Sequence, residues 1–390
     1  MKTRTRVNHP PHTELPPGRR ALVAPIYQSV KFELEDLAET ESVWSGRSPG
    51  FHYSRCGNPT VHDLERLVAE LQGRAECVAT ASGVAAVAVT LLALLSQGDH
   101  VLCFVETYGP SRGLIVRTLA RFGIEHTMLS IEDRAGIERV LAARPTRLVW
   151  FESPTNPMLK VADIAHLTGA AQRHGALTVL DNTFAGLEAH AQYPVDLYVH
   201  SLTKYASGHG DVMGGAVVGG HELVRRIRAQ AISLGPTLDP HAAFLISRGM
   251  KTYPLRRAAQ CASAARLAAA LAADARIARV HYPGLSTHPG HALATAQLAD
   301  YGSIVTIDLA GTAEQSRVFA DSLELFAIAA SLGSSESLIV PPQLQQPRDL
   351  GEAERRLSGI TPTTARLSIG LEDPDDLLAD LRAALDAAFG

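Results

Sequence analysis

The apolar residues between positions 61 and 240 fall into two alternating patterns. Seven short, almost continuously apolar runs predict strands, namely "AECVATASG", "HVLCFVE", "IEHTMLS", "RLVWFES", "ALTVLDN", "VDLYVHS" and "GGAVVGG". Five segments with helical periodicity accompany them, beginning with the amphipathic "VHDLERLVAELQG" and the uniformly apolar "VAAVAVTLLALLSQGD". Apolar strands that alternate with helices predict an α/β fold with a mostly parallel sheet covered on both faces.

The same patterning divides the chain into three regions. Residues 1–60 are rich in proline, arginine and polar residues and have weak periodicity, so we expect an N-terminal arm that lies on another surface. Residues 61–240 form the predicted large α/β domain. From residue 241 to 390 a helix-rich stretch leads to the predicted strands "YGSIVTIDLAG", "ESLIVPP" and "ARLSIGLED", which indicate a smaller C-terminal α/β domain.

Composition narrows the classes of function. The chain has 390 residues, of which 46% are hydrophobic and 19% charged, and a net charge of −4, which gives no reason to expect a nucleic-acid partner. No apolar run reaches 18 residues, so no membrane span is expected. Four widely separated cysteines fit a reducing cytoplasm, and none of the sixteen histidines occurs with a metal-ligand spacing.

Chemically useful residues follow several of the predicted strands. Ligands of open α/β sheets bind at the carboxyl ends of strands, and these ends carry Ser82, Gly83 and Val84, then Tyr108, Asn156 and Asp181, and finally Ser201, Thr203 and Lys204. Taken singly, Lys204 is explained as a solvated loop residue and Asp181 as a turn cap. Together they offer an anion seat at a helix N-terminus, an aromatic face, a carboxylate and a lysine. Pyridoxal phosphate needs this set, because it forms an imine with a lysine and requires an acid at its ring nitrogen.

Eight motifs, in order along the chain, carry a resemblance to a known family. They are "YSRCGNPT", "ASGVAA", "TYGP", "ESPTNPMLKVADI", "LDNTFA", "SLTKYASGHGDVMGG", "SLGSSESL" and "RLSIGLED". The chain thus resembles the Cys/Met-metabolism, or trans-sulfuration, family of pyridoxal-phosphate enzymes, which includes cystathionine γ-synthase, cystathionine γ- and β-lyases and methionine γ-lyase. The resemblance implies the aspartate aminotransferase-like fold (fold type I) with a seven-stranded large sheet, and a homotetramer built from catalytic dimers.

Motif by motif, the resemblance also implies roles for individual residues. Lys204 would form the imine and move protons, Asp181 would pair with the ring nitrogen, and Tyr108 would stack on the ring. The phosphate would be bound by Ser82, Gly83, Val84, Ser201 and Thr203, and by Tyr53 and Arg55 of a neighbouring subunit. The amino-acid substrate would be positioned by Asn156, Ser331, His52 and Arg366, with Arg366 binding the α-carboxylate in a planar, two-pronged contact.

The implied reaction is elimination or replacement at the γ-carbon of a sulfur-containing or O-acylated homoserine-type amino acid. Three positions depart from the cystathionine-handling members, because His52 and Ala330 stand where those members have glutamates and Gly113 where they often have an arginine. A β-eliminating cystathionine lyase and a cofactor-binding regulator with little turnover remain alternatives. A nucleotide-dependent dehydrogenase is disfavoured, because no G-x-G-x-x-G follows a first strand.

Overall fold

The computed structural model describes residues 2–11, 21–345, 347 and 349–390, so residues 1 and 12–20 of the predicted arm lie outside the described residues. The strands within these ranges are β1 (Glu76–Thr80), β2 (His100–Phe104), β3 (Glu125–Leu129), β4 (Leu148–Glu152), β5 (Leu177–Asp181), β6 (Leu197–Ser201), β7 (Gly215–Gly219), β8 (Ile277–His281), β9 (Ile304–Leu309), β10 (Ala327–Ile328), β11 (Leu338–Val340) and β12 (Thr364–Ser368).

The α-helices in the same ranges are α1 (Thr3–Arg6), α2 (Leu37–Trp44), α3 (Pro59–Gln72), α4 (Gly83–Leu94), α5 (Gly109–Gly113), α6 (Arg134–Ala143), α7 (Ile164–Arg173), α8 (His221–Leu234), α9 (Pro240–Met250), α10 (Tyr253–Ala272), α11 (His291–Gln297), α12 (Ala313–Asp321), α13 (Pro342–Gln345), α14 (Glu352–Ser358) and α15 (Pro374–Phe389). The run "SRGLIVRTLARFG", another of the five segments with helical periodicity, is helical up to Phe122, but it passes from α5 into a π turn at Leu114–Thr118 and a 3-10 turn at Leu119–Phe122.

The larger sheet confirms the predicted architecture. Among the described residues it has seven strands in the order β1-β7-β6-β5-β4-β2-β3, and each corresponds to one of the seven apolar runs. β7 runs antiparallel to β1 and β6, whereas the other pairs are parallel. Every residue of β2, β4 and β7 is buried, as expected for strands covered on both faces.

Local sequence signals explain where the first long helices begin and end. The Asn58 side chain accepts a hydrogen bond from the Thr60 N–H, Pro59 occupies the first turn of α3, and Gly73 ends the helix with a φ of 68°. These are the expected roles of asparagine, proline and glycine at helix ends. The side chain of Ser82 caps α4 by accepting from the Ala85 N–H at 3.1 Å, which fixes the helix N-terminus next to the end of β1.

A second sheet forms the core of the C-terminal region. Within the described part of the chain it has five strands in the order β10-β11-β12-β9-β8. β8 and β10 are not among the predicted strands, because β8 contains two exposed residues and a register irregularity and β10 is only two exposed residues long. The apolar core that packs on the large sheet includes Ala243, Ile246 and Met250 of α9. The apolar core of the second sheet includes residues of α10 from Ala264 onwards. The division at residue 240 therefore stays a prediction.

The described part of the arm has little regular structure. It contains the short helices α1 and α2 and an isolated bridge between Lys31 and Tyr53. Large apolar side chains of the arm are open to solvent on the single chain, and Leu22, Leu37 and Trp44 are 95%, 82% and 71% exposed. The predicted contact of the arm with another surface stays a prediction.

Two further observations concern the chain as a whole. No helix within the described ranges is both long enough and apolar enough to cross a bilayer. All four cysteines fall inside these ranges, and they are free thiols.

Candidate active site

The carboxyl ends of the large-sheet strands open into a cavity of about 370 Å³, which we call the Lys204 cavity. Most of the predicted site residues line it. On the side of the strand ends these are Ser82, Gly83, Val84, Tyr108, Asp181, Ser201, Thr203 and Lys204, which we call the cofactor wall. The facing side, which we call the substrate wall, consists of Asn156, Ala330, Ser331, Gln345 and Arg366.

Lys204 lies in the turn after β6 and reaches across the cavity. Its Nζ donates a hydrogen bond to the Ser331 Oγ at 2.8 Å, which joins the two walls. Burial, reinforced by the positive charge of Arg366, lowers the pKa of Lys204 to about 8. A substantial fraction of this amine is therefore neutral near physiological pH, as a nucleophile or base requires.

Arg366 on β12 is the fixed cation of the substrate wall. Its Nη1 donates to the Asn156 Oδ1 at 2.8 Å and its Nη2 to the Ser331 carbonyl at 2.7 Å. Its buried Nε has no partner in the described part of the chain. Burial lowers the pKa of Arg366 to about 10, so the side chain stays charged at neutral pH. A buried guanidinium with an unfilled donor is suited to bind a carboxylate.

The backbone at Ser331 shows how tightly the substrate wall is held. Ser331 has a φ of 113°, a region that residues with a side chain rarely adopt. Its hydroxyl accepts from Lys204 and its carbonyl from Arg366, so two side-chain contacts maintain this conformation. Strained backbone of this kind is typical of functional sites.

Asp181 ends β5 and faces the cavity. Thr183 donates to the Asp181 Oδ1 from its hydroxyl at 2.6 Å and from its N–H at 3.1 Å. Burial raises the pKa of Asp181, so the carboxylate is a strong partner for a cationic group placed in the cavity. A ring nitrogen that carries a proton is such a group.

The N-terminus of α4 lies at the predicted anion seat, and its binding of an anion stays a prediction. The first N–H groups of a helix have no partner within the helix, and here they belong to Gly83 and Val84, whereas the Ala85 N–H is bound by the Ser82 side chain. A side chain at Gly83 would be impossible without rearrangement, since its Cβ would lie 2.8 Å from the Cβ of Ser201. This close approach places the Ser201 and Thr203 side chains beside the helix terminus, where they also line the cavity.

Three predicted site residues lie outside the Lys204 cavity of the single chain. Arg55 donates from Nη1 to the Ile232 carbonyl at 2.6 Å and lies over the Tyr53 ring, 5.6 Å from its centroid. The His52 ring packs against Trp44 with centroids 5.4 Å apart. All three line a separate arm cavity of about 600 Å³. Their predicted contact with the site of a neighbouring subunit stays a prediction.

Several cavity residues were not identified from the sequence, among them Ser111, Glu152, Thr183, Met213 and Gln345. Glu152 ends β4 just as Asp181 ends β5, so the strand-end rule that selected Asp181 also applies to Glu152. The buried Oγ of Ser111 has no partner among the described residues.

Asp349 forms an ion pair with Arg112, which lies in the loop and helix that follow β2. The Asp349 carboxylate receives two hydrogen bonds from Arg112, from Nε at 2.9 Å and from Nη2 at 2.8 Å. Arg112 also donates to the Val105 and Thr107 carbonyls, just before Tyr108. This buried arginine therefore fixes Asp349 next to the Tyr108 loop.

Comparison with known proteins identifies the family. The pattern that describes Cys/Met metabolism PLP-dependent enzymes matches residues 6–386. The chain belongs to this family. It is 40% identical over 372 residues to the L-methionine gamma-lyase of Pseudomonas putida, covering 94% of this chain and 93% of that protein. It is 36% identical over 372 residues to the cystathionine beta-lyase of Lactococcus lactis subsp. cremoris (strain MG1363), covering 94% of each.

A solved structure supports both the fold and the cofactor. A Campylobacter jejuni protein, named as a candidate O-acetylhomoserine (thiol)-lyase, superposes with a TM-score of 0.93 at 31% identity, over 99% of this chain and 100% of that one. It contains a pyridoxyl-lysine-phosphate residue. The predicted fold type, the pyridoxal-phosphate dependence and the assignment to carbon–sulfur lyases and synthases of trans-sulfuration are thereby confirmed.

The Lys204 cavity has the chemistry that pyridoxal phosphate requires. It offers a half-buried lysine, a carboxyl group, the N-terminus of α4 as the predicted anion seat, and the unpartnered buried Ser111 Oγ on its wall. Within the described ranges, no cluster of three or more histidine, cysteine, aspartate or glutamate side chains is arranged to bind a metal ion.

Proposed function

We propose that this chain catalyses elimination or replacement at the γ-carbon of a sulfur-containing or O-acylated homoserine-type amino acid. The observation that carries the proposal is the pairing of a depressed-pKa lysine, Lys204, with the charged Arg366 on opposite walls of one cavity. An amino acid whose carboxylate binds Arg366 would present its α-carbon toward the amine of Lys204. The cofactor, when bound, supplies the electron sink for the carbanion.

Each wall contributes its own part of the chemistry in this proposal. On the cofactor wall, Asp181 holds the ring nitrogen, Tyr108 stacks on the ring, and the phosphate is bound by Ser82, Gly83, Val84, Ser201 and Thr203. Lys204 removes the α-proton and returns it to the carbon skeleton. On the substrate wall, Asn156 and Ser331 fix the Arg366 guanidinium through the contacts at 2.8 and 2.7 Å, so the carboxylate meets a pre-oriented donor.

We further propose that the preferred substrate has an uncharged or differently charged distal group, as methionine, homocysteine and O-acylhomoserines have. Ala330 lines the cavity with a methyl group where a glutamate would meet a distal ammonium. Gly113 carries no side chain, and neither Gly113 nor its neighbour Arg117 lines the cavity of the single chain. Burying a distal ammonium without a partner would be costly, so the second charged end of cystathionine is poorly accommodated.

The experiment is a panel of L-methionine, L-homocysteine, O-acetyl-L-homoserine and L-cystathionine, with release of 2-oxo acid and ammonia as readout. Replacement activity is followed by adding a thiol to the O-acylated substrate. Ratios of kcat/KM should favour the first three compounds. A clear preference for cystathionine would refute the distal-group proposal.

β-Elimination is the second candidate, since the chain is 36% identical to a cystathionine beta-lyase. The products of cystathionine separate the two reactions by simple stoichiometry. Cleavage at the γ-carbon releases 2-oxobutyrate, ammonia and cysteine, whereas cleavage at the β-carbon releases pyruvate, ammonia and homocysteine. Pyruvate as the main 2-oxo acid would favour the β-lyase.

For assembly, we propose a homotetramer of catalytic dimers in the cytoplasm, in which Tyr53 and Arg55 reach the neighbouring subunit's phosphate site. The exposed apolar arm and the separation of Arg55 from the Lys204 cavity support this arrangement, and the four free thiols fit a reducing compartment. Mixing Lys204→Ala and Arg55→Ala chains tests it, because a hybrid dimer regains one site with both native halves. Verified hybrids without activity would indicate a site within one chain.

A further inference from the structure

The Lys204 cavity contains a second buried carboxyl group, to which the roles above assign no task. Glu152 is the last residue of β4, lines the cavity and is 6% exposed. Parallel pairing of β4 with β5 places Glu152 directly opposite Asp181. The Oε1 of Glu152 accepts a hydrogen bond from the backbone N–H of Tyr108 at 2.5 Å. Glu152 therefore touches both the residue proposed to stack on the cofactor ring and the strand that carries its acid partner.

The charged groups around Glu152 already have partners of their own. From the segment after β2, Arg112 and Glu106 face it, and from β5 the facing group is Asp181. Arg112 is bound by both oxygens of Asp349, and Glu106 accepts from the Lys160 Nζ at 2.7 Å. Arg112, the cation that faces Glu152, is thus already paired, so in the proposed function the two neighbouring carboxyl groups would share the protonated ring nitrogen.

Hydrogen bonds distinguish the two carboxyl groups. Asp181 accepts two hydrogen bonds from Thr183, at 2.6 and 3.1 Å, whereas Glu152 accepts one, from the Tyr108 N–H. Donors stabilise the ionised form, and two like charges in one buried site cannot both be kept at low cost. Asp181 accepts more hydrogen bonds, so it is the carboxyl group expected to carry the negative charge.

We propose that Glu152 is the protonated, uncharged member of this pair, and that it serves as a positioning residue for Tyr108 through its carbonyl oxygen. This inference rests on the proposed placement of Asp181 at the ring nitrogen. A neutral Glu152 leaves the negative charge at this edge of the sheet on Asp181 alone. In agreement, burial and then the nearby Asp181 raise the pKa of Glu152 well above its usual range.

The charge assignment is tested by matched substitutions that remove an ionisable proton but keep the side-chain shape, Glu152→Gln and Asp181→Asn. The readout is the pH at which the visible absorption of the bound cofactor changes, which requires no substrate. Loss of a real negative charge should lower that pH, so Asp181→Asn should shift it down by about one unit or more. Glu152→Gln should shift it by less than about 0.3 units, because an amide replaces a neutral acid. Equal downward shifts in the two variants would overturn the assignment.

The positioning role is tested by Glu152→Leu, which keeps the bulk but removes the acceptor for the Tyr108 N–H. We expect the dissociation constant of pyridoxal phosphate, measured by fluorescence titration of the apoprotein, to rise about tenfold in this variant. Glu152→Gln retains a carbonyl acceptor and should weaken binding clearly less. Equal affinities of the Leu and Gln variants would refute positioning, and the Gln variant alone still tests the charge if the Leu variant does not fold.

Different results would contradict the placement of Asp181 at the ring nitrogen and the inference about Glu152. If Asp181→Asn leaves the spectrum and the affinity unchanged, the proposed placement of the cofactor is wrong. If Asp181→Asn changes both properties while Glu152→Gln matches it, only the inference about Glu152 is wrong.

Discussion

The two walls of the Lys204 cavity are built in different ways. On the cofactor wall, positions are set by the backbone ladder, since Asp181 is fixed by parallel pairing with β4 and β6, and Ser201 pairs with Gly215. On the substrate wall, positions depend on side-chain contacts between distant segments, such as those of Arg366 with Asn156 and with the Ser331 carbonyl. A few substitutions could therefore reshape the substrate wall without disturbing the strand pairing behind the cofactor wall. In the proposed function, cofactor chemistry and substrate choice would be separated accordingly.

The largest effect is expected on the cofactor wall. Lys204→Ala removes the amine proposed to form the imine and move protons, so activity should fall by about 10³-fold or more. The visible absorption of the cofactor adduct should disappear, as measured by spectrophotometry of the purified protein. Lys251→Ala is the matched control, because Lys251 lies outside the cavity. Retention of both colour and normal turnover by Lys204→Ala would contradict the assignment.

A substitution on the substrate wall should weaken substrate binding without affecting the bound cofactor. Arg366→Lys keeps a positive charge but loses the planar fork and leaves Asn156 and the Ser331 carbonyl without their donors. The expected result is a fall in kcat/KM of about 10²-fold, mostly through a raised KM, with an unchanged cofactor spectrum. If the cofactor were lost as well, the two walls would not be independent.

The same difference between the walls explains which site residues can be predicted from the sequence. Asp181 and Lys204 can be predicted, because apolar strands reveal where their carboxyl ends lie and parallel register brings those ends together. Arg366 cannot be selected in this way, since it lies inside the strand run "ARLSIGLED" and not at a strand end of the large sheet, and only the family resemblance identified it. Gln345 was missed because it lies in the short helix α13, which follows none of the large-sheet strands, and only the folded chain brings it into the cavity.

A smaller effect concerns the pH dependence of cofactor capture by the apoprotein. Capture requires the neutral amine, and burial together with Arg366 lowers the pKa of Lys204 to about 8. Below pH 8 the neutral fraction falls about tenfold per unit, so the rate constant should rise with pH and level off near pH 8. An unperturbed lysine would give a rise that continues beyond about pH 10.

Stopped-flow absorbance measures this profile between pH 6.5 and 10. Replacing Arg366 by methionine removes one of the two causes of the lowered pKa, so the plateau should move to higher pH. A rate that increases steadily through the whole range in the native protein would show that the Lys204 amine is not perturbed.

The smallest effect should come from Ala330, the substrate-wall residue that we propose faces the distal end of the substrate. Ala330→Glu restores a carboxylate at the position facing the distal end of the substrate, and should shift the kcat/KM ratio of cystathionine to methionine toward cystathionine by about tenfold. Ala330→Gln is the matched control, because it adds the same bulk without the charge and should leave cystathionine without an ionic partner. Adding His52→Glu should increase the shift only if the arm of a neighbouring subunit reaches this pocket. Equal ratios for the Glu and Gln variants would show that bulk rather than charge at position 330 governs the choice, and the substrate wall would then discriminate by shape alone.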